Sequence, residues 1–371
     1  MNDDIIKIIK IFFIWLAILL SVGFFSTHLS IYKEGTCNIK NQLPYYKWDS
    51  FWYTSISRHG YTFSEQKNSS IAFFPLYPMV IRAVRTITRL PQDYISFGLN
   101  IIFSFLSSLY LYRLARFDYN EKKSLAILVV FLFFPPAYFF VSGYPEALFV
   151  LLGIASLYFA RKGHWAKAGI ASGLLAITKP YGIFMFPVLM LEYLWSSGWD
   201  LKVFYKKINW TPLLLPLFSF AGFVLFNYLK FGDPIAFLKT QKTWGRSLDN
   251  PMVALIKEFD HYIFGGHILS GSNFPYVVYL LSFVFSIFAL FVCWKRVRKT
   301  YLVFSGLLLL SALLTGTLTS WGRYMLLAFP ILFGPAIYFS QKKWVFYLYF
   351  FVSASVMIFC ASYFVRCFPF E

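Results

Sequence analysis

Apolar residues run through this chain in long blocks, separated by short polar and basic punctuation. Blocks of bilayer-spanning length without interior charges read as membrane-crossing helices. Eleven are expected, at about 8–27, 95–116, 123–142, 145–161, 165–178, 180–196, 210–230, 276–294, 300–318, 323–340 and 344–364. Lys179-Pro180 separates the fifth from the sixth, and the fifth is short. The first block follows Lys7 and overlaps Lys10, as a signal peptide would. It is long and no small-x-small cleavage site follows, so an uncleaved first span is expected. The pattern predicts an all-α polytopic membrane protein with one domain over 1–371.

The basic punctuation orients the bundle. With the N-terminus in the cytoplasm, the inner loops carry Arg113, Arg116, Lys122 and Lys123, then Arg161, Lys162 and Lys167, then Lys202, Lys206 and Lys207. Lys295, Arg296, Arg298 and Lys299 follow, and Lys342 and Lys343 come last. Removing one span would turn the later clusters outward, so the positive-inside rule supports an odd number of spans with the C-terminus outside. Two long connections, 28–94 and 231–275, then lie outside. Within the first, Ile71 to Leu90 places Arg82, Arg85 and Arg89 at helical spacing among Ile81, Val84 and Ile87. That pattern predicts an amphipathic helix in the membrane interface.

Composition agrees with this reading. The chain is 58% hydrophobic and 13% charged, too little charge for a soluble domain of its length. The formal net charge of +18 would suggest nucleic acid in a soluble protein. Here the cations flank apolar spans and no nucleic-acid-reading element is present, so topology and anionic membrane lipid explain them. Of the four cysteines, no two have metal-ligand spacing. Cys37 and Cys367 both fall outside; a disulfide is conceivable, but spacing alone gives no support for one and free thiols are expected.

The topology collects unusual polar residues at the outer face: Asp49, Glu146, Lys179, Asp233, Arg246 and Arg323. Charged groups at membrane depth are costly and tend to be functional. A sugar transfer needs a carboxylate to accept the proton of an acceptor hydroxyl, a role open to Asp49. It also needs cations for a phosphate leaving group, roles open to Lys179, Arg246 and Arg323. The alternatives are a solvated loop carboxylate and cations that hold lipid headgroups. Trp48, Trp52 and Tyr53 could form a sugar-stacking platform or an interfacial belt. His59 could assist a hydroxyl or be an ordinary surface histidine.

Trp48-Asp-Ser-Phe-Trp-Tyr53, Ile56-Ser-Arg-His-Gly-Tyr61 and Ala72-Phe-Phe-Pro-Leu-Tyr-Pro78 together resemble the signature loop of the PIG-V-like mannosyltransferases. These are relatives of GPI mannosyltransferase II with the GT-C fold. The resemblance continues through Tyr144-Pro-Glu146, Gly169 to Gly182, Gly232-Asp-Pro234 and Arg323-Tyr324. It implies a GT-C-type bundle and inverting transfer of mannose from a polyprenyl or dolichyl phosphate to a hydroxyl acceptor at the extracytoplasmic face. It places the catalytic carboxylate at Asp49, and Glu146 and Asp233 among the substrate-binding positions. The family-like Thr-Arg-Pro segment has Lys179 in place of arginine, and Gly322 stands where proline is often found. No Asp-x-Asp element occurs in the outer loops, and a monophosphate donor leaves little charge to neutralise, so metal-independent transfer without a cofactor is expected.

A flippase of a lipid-linked sugar is the competing reading. It would want charges near helix midpoints and an internal repeat, and the sequence offers only the Lys179-Pro180 break. A scaffold without catalysis would need no acid beside aromatic loop motifs. The composition fits the cytoplasmic membrane of a prokaryote better than the endoplasmic reticulum. Asn68-Ser-Ser70 is a glycosylation acceptor only where the host has that machinery.

Overall fold

The computed structural model describes residues 2–28, 43–200, 211–246, 250–253, 255–256 and 274–368, and among these no strand occurs. The chain opens with α1 (Asn2–His28), a long apolar helix. The first long connection folds into α2 (Ser50–His59) and α3 (Leu76–Thr88). Then come α4 (Gln92–Ala115), α5 (Glu121–Leu132), α6 (Glu146–Arg161), α7 (Trp165–Ala176) and α8 (Met185–Ser196). After α9 (Thr211–Phe231) and the second long connection follow α10 (Phe274–Trp294) and α11 (Lys299–Leu313). The chain closes with α12 (Trp321–Leu327), α13 (Phe333–Phe339) and α14 (Lys343–Val365).

Helices occupy all eleven expected spans, and they differ in length. Five, namely α1, α4, α9, α10 and α14, are long and apolar enough to cross a membrane. Two bent pairs raise the number to seven. The others, α6, α7, α8 and α11, have 16, 12, 12 and 15 residues, against the ~20 that a bilayer core needs.

Proline sets both bends. α5 turns by 77° into a 3₁₀ segment (Pro135–Val141) that begins Pro135-Pro136. α12 turns by 92° into Phe329–Phe339, where Pro330 follows the bend. Proline lacks the N–H that would continue the helix and disfavours helical geometry in the preceding residue. The two bent spans touch where α12 meets the Pro135–Val141 turn.

Glycine permits the closest approaches. A Cβ on Gly169 of α7 would lie 2.0 Å from the Pro212 carbonyl oxygen of α9. One on Gly182, in the turn after Lys179-Pro180, would lie 2.2 Å from the Leu175 oxygen. Gly169 lets α7 pack closely on α9, and Gly182 lets the chain fold back on the end of α7, placing Lys179.

The expected amphipathic helix is present, but its helical part starts at Leu76 and not at Ile71. Tyr77 and Ile81 are buried, while Arg82, Arg85 and Arg89 are exposed. Ile87 does not join the buried stripe. Six residues on from Ile81 it lies ~120° around the helix, and it is 83% exposed.

Charged side chains gather at two opposite ends of the bundle. At one end, loops expected inside are tied by ions. Arg161 grips both carboxylate oxygens of Asp118 at 2.6 and 2.8 Å. Buried Glu192 accepts from Arg298 at 2.8 Å and from Thr300 at 2.6 Å. The other end of α6 carries Glu146, ~22 Å away along the helix axis, in the cluster described next.

The expectation for the cysteines changes in part. Cys293 and Cys360 are free and buried. Cys367 is disulfide-bonded, whereas Cys37 lies outside the described residues. Sequence separation carries no information on the Cα distance that decides pairing.

Candidate active site

Asp49 sits at the N-cap position of α2 without a side-chain capping bond, and its backbone N–H donates to the Tyr144 hydroxyl at 3.2 Å. Its carboxylate accepts from Arg323 Nη1 of α12 at 3.4 Å, and its side chain is 13% exposed. Arg323 reaches on through Nε to Glu146 Oε1 at 3.2 Å. Lys179 Nζ donates to the same oxygen at 2.6 Å. Glu146 is fully buried at the start of α6, and its Oε2 has no hydrogen-bond partner among the described residues. The guanidinium of Arg323 also lies over the rings of Phe139 and Tyr144, at 5.6 and 5.4 Å. Cation–π contact and two carboxylates hold it in a site poor in water.

Arg246 reaches the cluster from the long connection after α9. It donates to the Tyr324 hydroxyl at 2.7 Å, and Tyr181 reaches that hydroxyl at 3.3 Å. Among the described residues no carboxylate lies within ion-pair distance of Arg246. The Tyr324 oxygen beside it raises its pKa further, so it stays charged. Lys179 stands in the break between α7 and α8, outside either helix. Burial pushes its ammonium below the ordinary lysine value, against the pull of Glu146.

Two negative groups (Asp49, Glu146) therefore face three positive ones (Lys179, Arg246, Arg323). Five separated chain segments supply them. The set leaves a net positive charge and one cation without an acid, an arrangement suited to an anionic ligand. Backbone strain lies beside it: Trp48 (φ 47°) precedes Asp49, and Ser320 (φ 65°) precedes α12. Among the described residues no group of three His, Cys, Asp or Glu side chains converges as metal ligands would.

The remaining candidates divide. Trp52 stacks on Phe73 at 5.6 Å and meets Trp244 edge-on at 5.5 Å. Tyr53 is buried between Phe73 and Tyr77. Both rings serve the packing of the loop, and Trp48 is half-buried. His59 is exposed at the C-terminal end of α2. Asp233 pairs with Lys239 at 2.6 Å and accepts from the Ile235 N–H, closing a local turn. Lys239 and Ile235 sit beside it in the chain, so Asp233 has its salt bridge and hydrogen bond without reaching the cluster. Sequence reasoning passed over Tyr144, Tyr181 and Tyr324, whose hydroxyls join the cluster; Tyr144 and Tyr324 flank the charged residues of two quoted motifs. It also passed over Lys47, which is fully buried two positions before Asp49.

The all-helical architecture is that of a GT-C fold. The structure resembles ArnT from Cupriavidus metallidurans bound to undecaprenyl phosphate, with TM-score 0.51 and 15% identity, over 87% of this chain and 59% of that one. A weaker likeness links it to the oligosaccharyltransferase of Archaeoglobus fulgidus in the apo form. That match has TM-score 0.47 and 11% identity, over 96% of this chain and 56% of the other. The fold assignment rests on the first. The chain thus spans somewhat over half the length of these proteins. No curated protein sequence matches. Residues 36–208 match the family model described as Mannosyltransferase (PIG-V), which bears out the motif resemblance through Asp49, Glu146 and Lys179. The Gly232-Asp-Pro234 and Arg323-Tyr324 segments lie beyond the matched residues.

Proposed function

We propose that this chain is an extracytoplasmic, inverting glycosyltransferase that moves mannose from a polyprenyl or dolichyl phosphate to a hydroxyl acceptor. The observation that carries this reading is the meeting of Asp49 with Arg323, Glu146, Lys179 and Arg246. Asp49 takes the acceptor's hydroxyl proton. The acceptor oxygen bonds to the anomeric carbon as the bond from that carbon to the phosphate oxygen breaks, inverting its configuration. The lipid phosphate leaves with the bonding pair. Arg246, the cation without an acid, binds the leaving phosphate, and Lys179 and Arg323 complete the positive field. These side chains supply the charge that a metal would otherwise bring to a monophosphate, so the transfer needs no metal. Mannose rests on the PIG-V match, and the carrier class on the ArnT likeness and the cation set.

The disulfide supports the sidedness. Phe364, three residues before Cys367, packs against the ring of Tyr144 at 5.9 Å. The cluster therefore shares a face with the disulfide-bonded Cys367, and disulfides persist on the oxidising side of a membrane.

The test is mannose transfer by the purified protein from polyprenyl-phosphate mannose into a mixed acceptor extract, beside Asp49→Asn and with EDTA. The expected result is transfer that survives EDTA and falls about 10²–10⁴-fold in the variant. Equal transfer by both proteins would remove Asp49 from the chemistry. Donor binding without transfer by either would favour a flippase.

A further inference from the structure

A second candidate site lies outside the charged cluster. Helices α2, α3 and α9 enclose a groove of about 540 Å³. Its walls are apolar, with Ile56 from α2, Pro78 and Met79 from α3, and Phe223 and Phe226 from α9. Two cations line it, Arg82 from α3 and Lys230 from α9, both exposed. Among its described lining residues none is acidic. None of Asp49, Glu146, Lys179, Arg246 and Arg323 lines it.

The groove opens beside exposed apolar side chains. On α9, Phe218, Leu225 and Leu229 are 61%, 55% and 74% exposed, as expected for a span's lipid side. On α3, Met79 is 60% exposed beside the basic stripe of an interfacial helix. Gly60, at φ +79°, leaves Lys230 Nζ 3.7 Å from where a Cβ would stand, so Lys230 bends over the groove next to α2. Its ammonium also rests on the rings of Phe226 and Phe231, at 5.7 and 5.6 Å.

We propose that this groove binds an anionic phospholipid of the surrounding membrane, with one acyl chain between α3 and α9 and the phosphate between Arg82 and Lys230. The separate pair of cations is the argument for a lipid other than the sugar donor. A donor engaged at Arg246 has its phosphate among the cluster residues, and nothing there would neutralise Arg82 and Lys230. Bound in this way, the phospholipid would brace α3 against α9.

The experiment measures lipid retention by the purified full chain in detergent, using native mass spectrometry, and does not depend on transferase activity. The probes are phosphatidylglycerol, phosphatidylcholine and a polyprenyl phosphate. Wild type should retain phosphatidylglycerol over phosphatidylcholine. The double variant Arg82→Gln, Lys230→Gln should lose that preference by about tenfold. Gly222→Phe should reduce retention of both phospholipids by filling the groove. A Cβ at Gly222 meets nothing within 4 Å, so the added side chain starts in open space, and a wild-type melting temperature would confirm that the fold is kept. Equal retention of the two phospholipids by wild type would overturn the proposal, as would an unchanged double variant. Displacement of phosphatidylglycerol by stoichiometric polyprenyl phosphate would also overturn it, by giving the groove to the donor.

Discussion

Asp49 and Arg323 are 274 residues apart in the chain and meet at 3.4 Å. The contact is long for an ion pair, and Arg323 is also bound to Glu146. Arg323 thereby fixes where the Asp49 carboxylate lies. Arg323 serves both acids because its nitrogens diverge from one plane, Nε toward Glu146 and Nη1 toward Asp49. A lysine has a single nitrogen and cannot span the two. Arg323→Lys should keep the charge and the fold but lower kcat by about 10²-fold, the cost of a misplaced reacting group. Steady-state kinetics with a donor titration would check this. An unchanged kcat would mean that Asp49 needs no such anchor.

Glu146 holds the site together from below. Its buried carboxylate accepts from both Lys179 and Arg323. Glu146→Ala would leave the buried Lys179 uncompensated and Arg323 with only its long contact to Asp49, at a cost of about 3–5 kcal/mol. A thermal melt in detergent should show a clear loss of stability. Glu146→Asp, which keeps the charge, should recover part of it. A wild-type melting temperature in Glu146→Ala would show that the two cations find water instead.

Much of this arrangement was legible in the sequence. Positive-inside counting sent Asp49, Glu146, Lys179, Arg246 and Arg323 to one face, and all five meet there. What the sequence could not supply was distance. Asp233 shared the face and a motif, yet Lys239 lies six residues on and satisfies it locally. The tyrosines were invisible because a Tyr near a span end reads as an interfacial anchor, and only its partner shows that the hydroxyl carries a site residue. Span lengths were misjudged for a related reason. Apolar runs such as 300–318 extend past the end of their helix at Leu313, and hydropathy does not register where a helix stops.

The pH dependence of transfer should report Lys179. Its folded pKa is lowered by burial, so it loses its proton at a lower pH than an exposed lysine. Below that pKa the ammonium is present and donor binding is at full strength; as pH rises through it, binding weakens. Lys179→Arg keeps its charge throughout. The variant's donor affinity should stay flat on the alkaline side where that of wild type falls. Parallel falls in both proteins would assign the alkaline limb to another group.

Topology can be tested independently of chemistry. Ser64 lies in the first outer loop and Lys122 at the start of α5, at the opposite end of the bundle. Single cysteines at these positions, probed with an impermeant thiol reagent in intact cells, should label at Ser64→Cys only. The native Cys293 and Cys360 are buried and should give little background. Labelling of Lys122→Cys alone would invert the bundle and place the cluster in the cytoplasm.

Arg246 provides the sharpest separation of binding from chemistry. Tyr324 holds it by a hydrogen bond and by its ring, 5.8 Å from the guanidinium carbon. Among the described residues it has no acid to neutralise, so removing it exposes no buried carboxylate and should not unfold the protein. A charge-assisted hydrogen bond to phosphate contributes about 1.5–3 kcal/mol, which corresponds to roughly 10- to 150-fold in affinity. Arg246→Ala should raise the donor KM by that order, with the stability of wild type. Tyr324→Phe keeps the ring and removes the hydroxyl that positions Arg246, so its effect should be smaller and in the same direction. If Arg246→Ala binds donor like wild type, the phosphate must lie at Lys179 and Arg323. Their substitution would then raise KM in Arg246's place, and the second outer loop would have another task.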